Sequence, residues 1–106
     1  MLQIENKLGI LKTLKLKFYA DPGHGWLAVP LRIYLKSGIV ASRFSYMNRQ
    51  GTTVFLEEDC DAGLFIDAMK AQGVEIKMTG HHTNRQSKIR NMDRISQVHR
   101  QESSNV

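Results

Sequence analysis

Leu14, Leu16 and Phe18 alternate with Lys15, Lys17 and Tyr19, the period of two expected of a strand with one buried and one solvated face. A first strand is therefore predicted over residues 12–20. Asp21-Pro22-Gly23 follows as a turn, because proline fixes φ and glycine accepts a positive φ. Trp26 to Val29 is a short apolar run, read as a second strand or as the lead into a helix, with Pro30 suited to the first helical position. From Pro30 to Ser37 about two turns of helix are predicted, with Leu31, Tyr34 and Leu35 on one side, Arg32 and Lys36 on the other, and Gly38 as a left-handed stop.

Residues 43–47 and 52–57 flank Asn48-Arg49-Gln50-Gly51 and read as a hairpin with glycine near the end of its loop. Val54 and Leu56 share one face of the second strand and Thr53 and Phe55 the other, both apolar enough for a central position. Asp59 or Asp61 is expected to cap the next helix, where a carboxylate also complements the positive end of the helix dipole. Leu64, Phe65, Ala68 and Met69 form its buried stripe, and Gly73 ends it. Val74, Ile76 and Met78 then alternate with Glu75 and Lys77, predicting a final strand to about Thr79. The passage from residue 53 to 79 reads as a right-handed parallel crossover.

The fold class expected is α+β: one small domain over residues 1–80, with a four- to five-stranded sheet, one long helix and one short helix. After Gly80 the chain turns polar and basic. Such a composition buries too little apolar surface to offset its ordering entropy, so residues 81–106 are expected to form a flexible basic tail, disordered or partly helical. Within it Ile89, Met92, Ile95 and Val98 recur every third residue beside Lys88, Arg90 and Arg94, a stripe that could fold as a helix on a partner.

A chain of 106 residues holds one domain and can fold without disulfides or metals. Its single cysteine, Cys60, excludes an intramolecular disulfide and leaves no sulfur pair for structural zinc. A reducing, cytoplasmic setting is expected, with neither a signal peptide nor a membrane span. The net charge of +5 is unevenly spread. Residues 1–49 carry eight Lys/Arg against Glu5 and Asp21, giving +6; residues 50–80 carry two against six acids, giving −4; residues 81–106 carry five against two, giving +3. The two ends attract phosphate, and the acidic middle would repel it if it lay on the same face.

Chemistry can be sought in three places. His24 lies between two glycines, where Asp21 could orient its ring and Cys60 could serve as a nucleophile if the fold brought it near; a turn histidine and a core cysteine are the simpler reading, and no catalytic residue is expected. Metal ligands could be drawn from His24, His81, His82, His99, Cys60 or the acids Glu57, Glu58, Asp59 and Asp61. The zinc spacings and the calcium-loop pattern are absent, so neither a metal site nor a cofactor is expected. For nucleic acid, the candidates are Lys12, Lys15 and Lys17 on the wet side of the first strand, Arg43 and Arg49 near the hairpin, and Arg85, Lys88, Arg90, Arg94 and Arg100 in the tail. Tyr19, Trp26 and Tyr46 could stack on bases.

The segments KFYADPGHGWLAVP (17–30), RFSYM (43–47) and VFLEEDCDAGLFIDAMKAQG (54–73) resemble those of a group of small uncharacterised proteins encoded by phages and plasmids. The resemblance covers about residues 14–79 and implies a mobile-element origin, in which small accessory proteins often bind host or defence components.

The leading expectation is a non-enzymatic binding protein, an accessory or inhibitory factor acting on a host or defence protein or its nucleic-acid complex. Its surface would join Asp21, His24 and Trp26 to an acidic edge at Glu57, Glu58 and Asp61. The alternative is a nucleic-acid or nucleotide binder using Lys15, Lys17, Arg43, Arg49, Lys88, Arg90 and Arg94.

Overall fold

The computed structural model describes residues 12–95. The strands are β1 (Lys12–Ala20), β2 (Gly25–Pro30), β3 (Tyr46–Met47), β4 (Thr53–Glu57), β5 (Val74–His82) and β6 (Asp93–Arg94), and the helices are α1 (Leu31–Ser37) and α2 (Gly63–Ala71). They form an α+β domain around one mixed sheet of order β5-β1-β2-β4-β3-β6. β5 runs parallel to β1, and every other pairing is antiparallel. The strand count is one above the expected range because β6 comes from the segment read as tail.

The alternation in β1 sets two faces. Leu14 and Leu16 join Leu27, Val29, Val54, Leu56 and Met47 under Ile33 and Tyr34 of α1 and Phe65 and Met69 of α2, forming the main core. The opposite face carries Trp26 and Phe55 with Tyr19, Ala28 and Tyr46, and is covered by Ile89 and Met92. Each β4 face is thus buried in its own cluster, as its apolar alternation implies.

Two helix readings are adjusted. α1 buries Ile33, Tyr34 and Ser37, while Leu35 is 53% exposed. The helix starts one residue later than expected, since Pro30 ends β2 in an extended conformation (φ −55°, ψ 137°) and acts as the flanking residue. Gly38 closes α1 at φ +81°, as expected of a left-handed stop. In α2, Phe65 and Met69 are buried, but Leu64 is 56% exposed. α2 is preceded by a π-helical turn, Glu58–Ala62, rather than by a capping aspartate. Glu57 takes that role: its Oε1 accepts the backbone N–H of Asp59 at 2.9 Å.

The passage from β4 through α2 to β5 joins strands of the same direction but skips over β2 and β1, so β5 lands at the sheet edge beside β1. β5 also runs past Thr79 to His82, placing the expected domain boundary at residue 80 inside a strand. The chain then crosses the outer face, makes a 3-10 turn at Lys88–Asn91 and pairs β6 with β3. Ile89 and Ile95 are buried, 5% and 1% exposed. Val98 and residues 96–106 lie outside the described residues. Among the described residues no helix is long and apolar enough to cross a membrane.

Candidate functional site

The Asp21-Pro22-Gly23-His24-Gly25 loop is organised by one carboxylate. Asp21 Oδ1 accepts the backbone N–H groups of Gly23 (3.0 Å) and His24 (2.9 Å), which closes the turn. The same carboxylate accepts Ser87 N–H at 2.9 Å and a forked pair from Arg90, Nε to Oδ2 at 2.8 Å and Nη2 to Oδ1 at 2.9 Å. The Arg90 guanidinium foremost, opposed by burial and aided by the three backbone N–H groups, holds the Asp21 carboxyl well below the usual carboxylate range. Asp21 is therefore an internal anchor that docks residues 84–95 onto the sheet, and it offers no surface to a partner.

A second carboxylate organises the loop that follows α1. Asp61 is 2% exposed, and its Oδ2 accepts Ser42 N–H at 2.9 Å, Ser42 Oγ–H at 2.8 Å and the Ser45 hydroxyl. Ser45 Oγ in turn accepts Glu57 N–H at 2.9 Å. These bonds fix residues 42–45 and so present Arg43 and Phe44 outward, both exposed.

The two anchored loops and β6 enclose an open cavity of about 490 Å³ lined by His24, Trp26, Arg43, Phe44, Tyr46, Glu57, Arg90 and Arg94. Each arginine lies over an aromatic ring: Arg90 over Trp26 at 5.4 Å, Arg43 over Phe44 at 5.2 Å and Arg94 over Tyr46 at 5.4 Å. This is the geometry of cation–π attraction, worth about 0.5–1 kcal/mol at exposed sites. Arg94 also donates from Nη1 to the carbonyl of Arg43, which ties β6 to the 42–45 loop. Among the described residues Arg90 is committed to Asp21, whereas Arg43 and Arg94 pair with no carboxylate. Trp26, one of the wall residues, buries its Nε1, a donor with no acceptor among the described residues.

The residues expected as two separate sites are thus partly merged. His24, Trp26 and Glu57 share one cavity with Arg43, Arg90 and Arg94. The acidic edge does not exist as drawn: Glu57 and Asp61 are buried at 4% and 2% exposure, and Glu58 alone of the three is exposed. Glu58 faces a different cleft, on the helix side, with Phe18, Ile66 and Met78. Trp26, at 2% exposure, forms wall and cannot itself stack on a base. Lys15 and Lys17 project from the outer face of β1 beside Tyr19 and Phe55, and Arg49 and Lys88 line a neighbouring depression.

The sequence reading missed Phe44, Ser42 and Ser45. The signal was the Ser42-x-x-Ser45 spacing ahead of an aspartate in a turn, which reads as loop polarity until Asp61 is found between the two hydroxyls.

Cysteine chemistry is poorly served here. Desolvation, then the carboxylates of Glu57, Asp61 and Asp59, push the exposed Cys60 thiol above its ordinary value, the reverse of what a thiolate nucleophile requires. His24 sits with its Nδ1 3.4 Å from Glu57 Oε2 and its ring tilted against Trp26 at 6.0 Å. Asp21 touches the His24 backbone and not its imidazole.

Comparison with protein-family models, with curated proteins and with solved structures finds no match to this chain.

Proposed function

We propose that the protein binds single-stranded nucleic acid, with one nucleotide seated in the arginine-lined cavity and the flanking backbone crossing the outer face of the sheet. The convergence of Arg43, Arg90 and Arg94 with Phe44, Trp26 and Tyr46 on one cavity carries this reading. Guanidinium groups held over rings offer flat, charged surfaces on which a base can stack while free N–H groups reach phosphate. Arg43 and Arg94 supply the phosphate contacts, because Arg90 is occupied by Asp21.

Charge placement supports the same reading. Lys15, Lys17, Arg49 and Lys88 lie on or beside the face that carries the cavity. Of the acids in the middle of the chain, Asp61 is consumed internally and Glu58 lies on the helix side. Among the described residues Glu57, paired with His24, lines the cavity, and the exposed Asp59 carboxylate lies within 4.8 Å of that pair.

The test uses the sole tryptophan as reporter. Trp26 fluorescence should change saturably as a single-stranded oligonucleotide is added, and Arg94→Glu should abolish the change while leaving the circular dichroism spectrum intact. An unaltered titration in Arg94→Glu would remove the cavity from the account.

A protein partner, the accessory role implied by the resemblance, has one observation in its favour. The helix-side cleft of Phe18, Ala62, Ile66 and Met78, edged by Glu58, is largely apolar, and Met78 and nearby Leu64 are 52% and 56% exposed. Nuclease-treated affinity capture followed by Met78→Glu separates that partner from the nucleic-acid site.

A further inference from the structure

Glu57 is a buried carboxylate, 4% exposed, and among the described residues no lysine or arginine pairs with it. A carboxylate removed from water calls for a cation close by. Its Oε1 is fixed by the Asp59 N–H at 2.9 Å, which turns Oε2 toward His24 Nδ1. The separation there is 3.4 Å. A charge-assisted hydrogen bond would close to about 2.8 Å, whereas two donors on a tetrahedral ion, each about 2.1 Å from the metal, stand about 3.4 Å apart. The π-helical turn brings in a third donor: ligand atoms of His24, Glu57 and Asp59 all lie within 4.8 Å of one another. Asp59 is exposed, so its side chain can close the remaining distance.

We propose that His24 Nδ1 and the carboxylates of Glu57 and Asp59 bind a divalent cation of the zinc class. One imidazole with two carboxylates suits zinc, cobalt or manganese better than the all-oxygen shells favoured by calcium and magnesium. Three protein donors leave at least one coordination position open, and because His24 and Glu57 line the cavity, that position is reachable from it. The Asp59 N–H to Glu57 bond and the Trp26 ring against His24 orient two of the donors in advance of the ion.

Isothermal titration of the tag-free protein with zinc chloride, in the absence of nucleic acid, tests the site independently of any ligand in the cavity. One equivalent should bind, raising the melting temperature. His24→Ala and Asp59→Asn, both at exposed positions, should each weaken binding at least about tenfold, while Glu58→Gln and Cys60→Ser leave it unchanged. Cobalt substitution should give a visible d–d spectrum that His24→Ala removes. The proposal is overturned if no stoichiometric binding is seen. It is equally overturned if binding survives His24→Ala but is lost on replacing His81 and His82, or if Cys60→Ser loses the ion and Asp59→Asn keeps it.

Discussion

Arg90 and Asp21 meet through two hydrogen bonds, at 2.8 and 2.9 Å, although they stand 69 positions apart in the chain. The pair closes the outer layer of the domain. On one side it sets the turn that carries His24 into β2; on the other it holds the segment that brings Ile89 down on Trp26 and Phe55. The pair fixes the 21–25 loop and the 84–95 segment, both of which border the cavity.

Arg90→Ala leaves the Asp21 carboxylate, whose side chain is fully buried, without its cation, a loss of about 3–5 kcal/mol. Urea denaturation at neutral pH should show an unfolding free energy lower by that amount, with the midpoint lowered accordingly.

The same pair predicts an acid response. Because Asp21 is depressed in the folded protein, first of all by Arg90, its contribution is fully present above the unfolded carboxylate value of about 3.9 and declines as the pH falls below it. Urea midpoints measured between neutral pH and about pH 2 should fall less steeply in Asp21→Asn than in the wild type. Parallel curves would contradict the assignment.

Gly25 sits where an added Cβ would come within 2.4 Å of Phe18 Cζ and 2.7 Å of Cε2. Phe18 packs against the main core, so Gly25→Ala must displace its ring. A cost of about 1–3 kcal/mol is expected, read as a lowered melting temperature.

Asp61→Ala removes the acceptor shared by Ser42 and Ser45 and releases the loop that presents Arg43 and Phe44. A destabilisation of about 1–3 kcal/mol follows from leaving the buried Ser45 hydroxyl and the part-buried Ser42 donors unpaired, and oligonucleotide affinity should fall with it. Arg43→Ala, in contrast, should lower affinity with little change in stability.

Most of the framework was legible in period and punctuation. The alternation at residues 14–19, the Asn48–Gly51 loop and Gly73 after α2 each act through local backbone and burial preferences, and β1, β4 and α2 fall where those preferences put them. The 84–95 segment was not legible, because its order comes from a few distant contacts. The burial of Ile89 and Ile95 goes with the Arg90 bond to Asp21 and the Ile95 N–H bond to Ser45 O at 3.0 Å, and composition alone describes such a stretch as tail. Likewise, Glu57, Glu58 and Asp61 look alike as a run of charge. Glu57 ends β4 facing the cavity, and the π-helical turn after it turns Asp61 inward and Glu58 to the helix side; nothing in their spacing announces that division.

The central claim is that Arg43 and Arg94 engage nucleic-acid phosphate in the cavity. Its most direct test is the salt dependence of oligonucleotide affinity in the wild type and in the Arg43→Ala/Arg94→Ala double variant. Each phosphate contact to single strands contributes about 0.7 to the slope of log K against log salt. The double variant should therefore bind more weakly and with a slope shallower by about 1.4. An unchanged slope and affinity would contradict the account and place any nucleic-acid contact elsewhere on the protein.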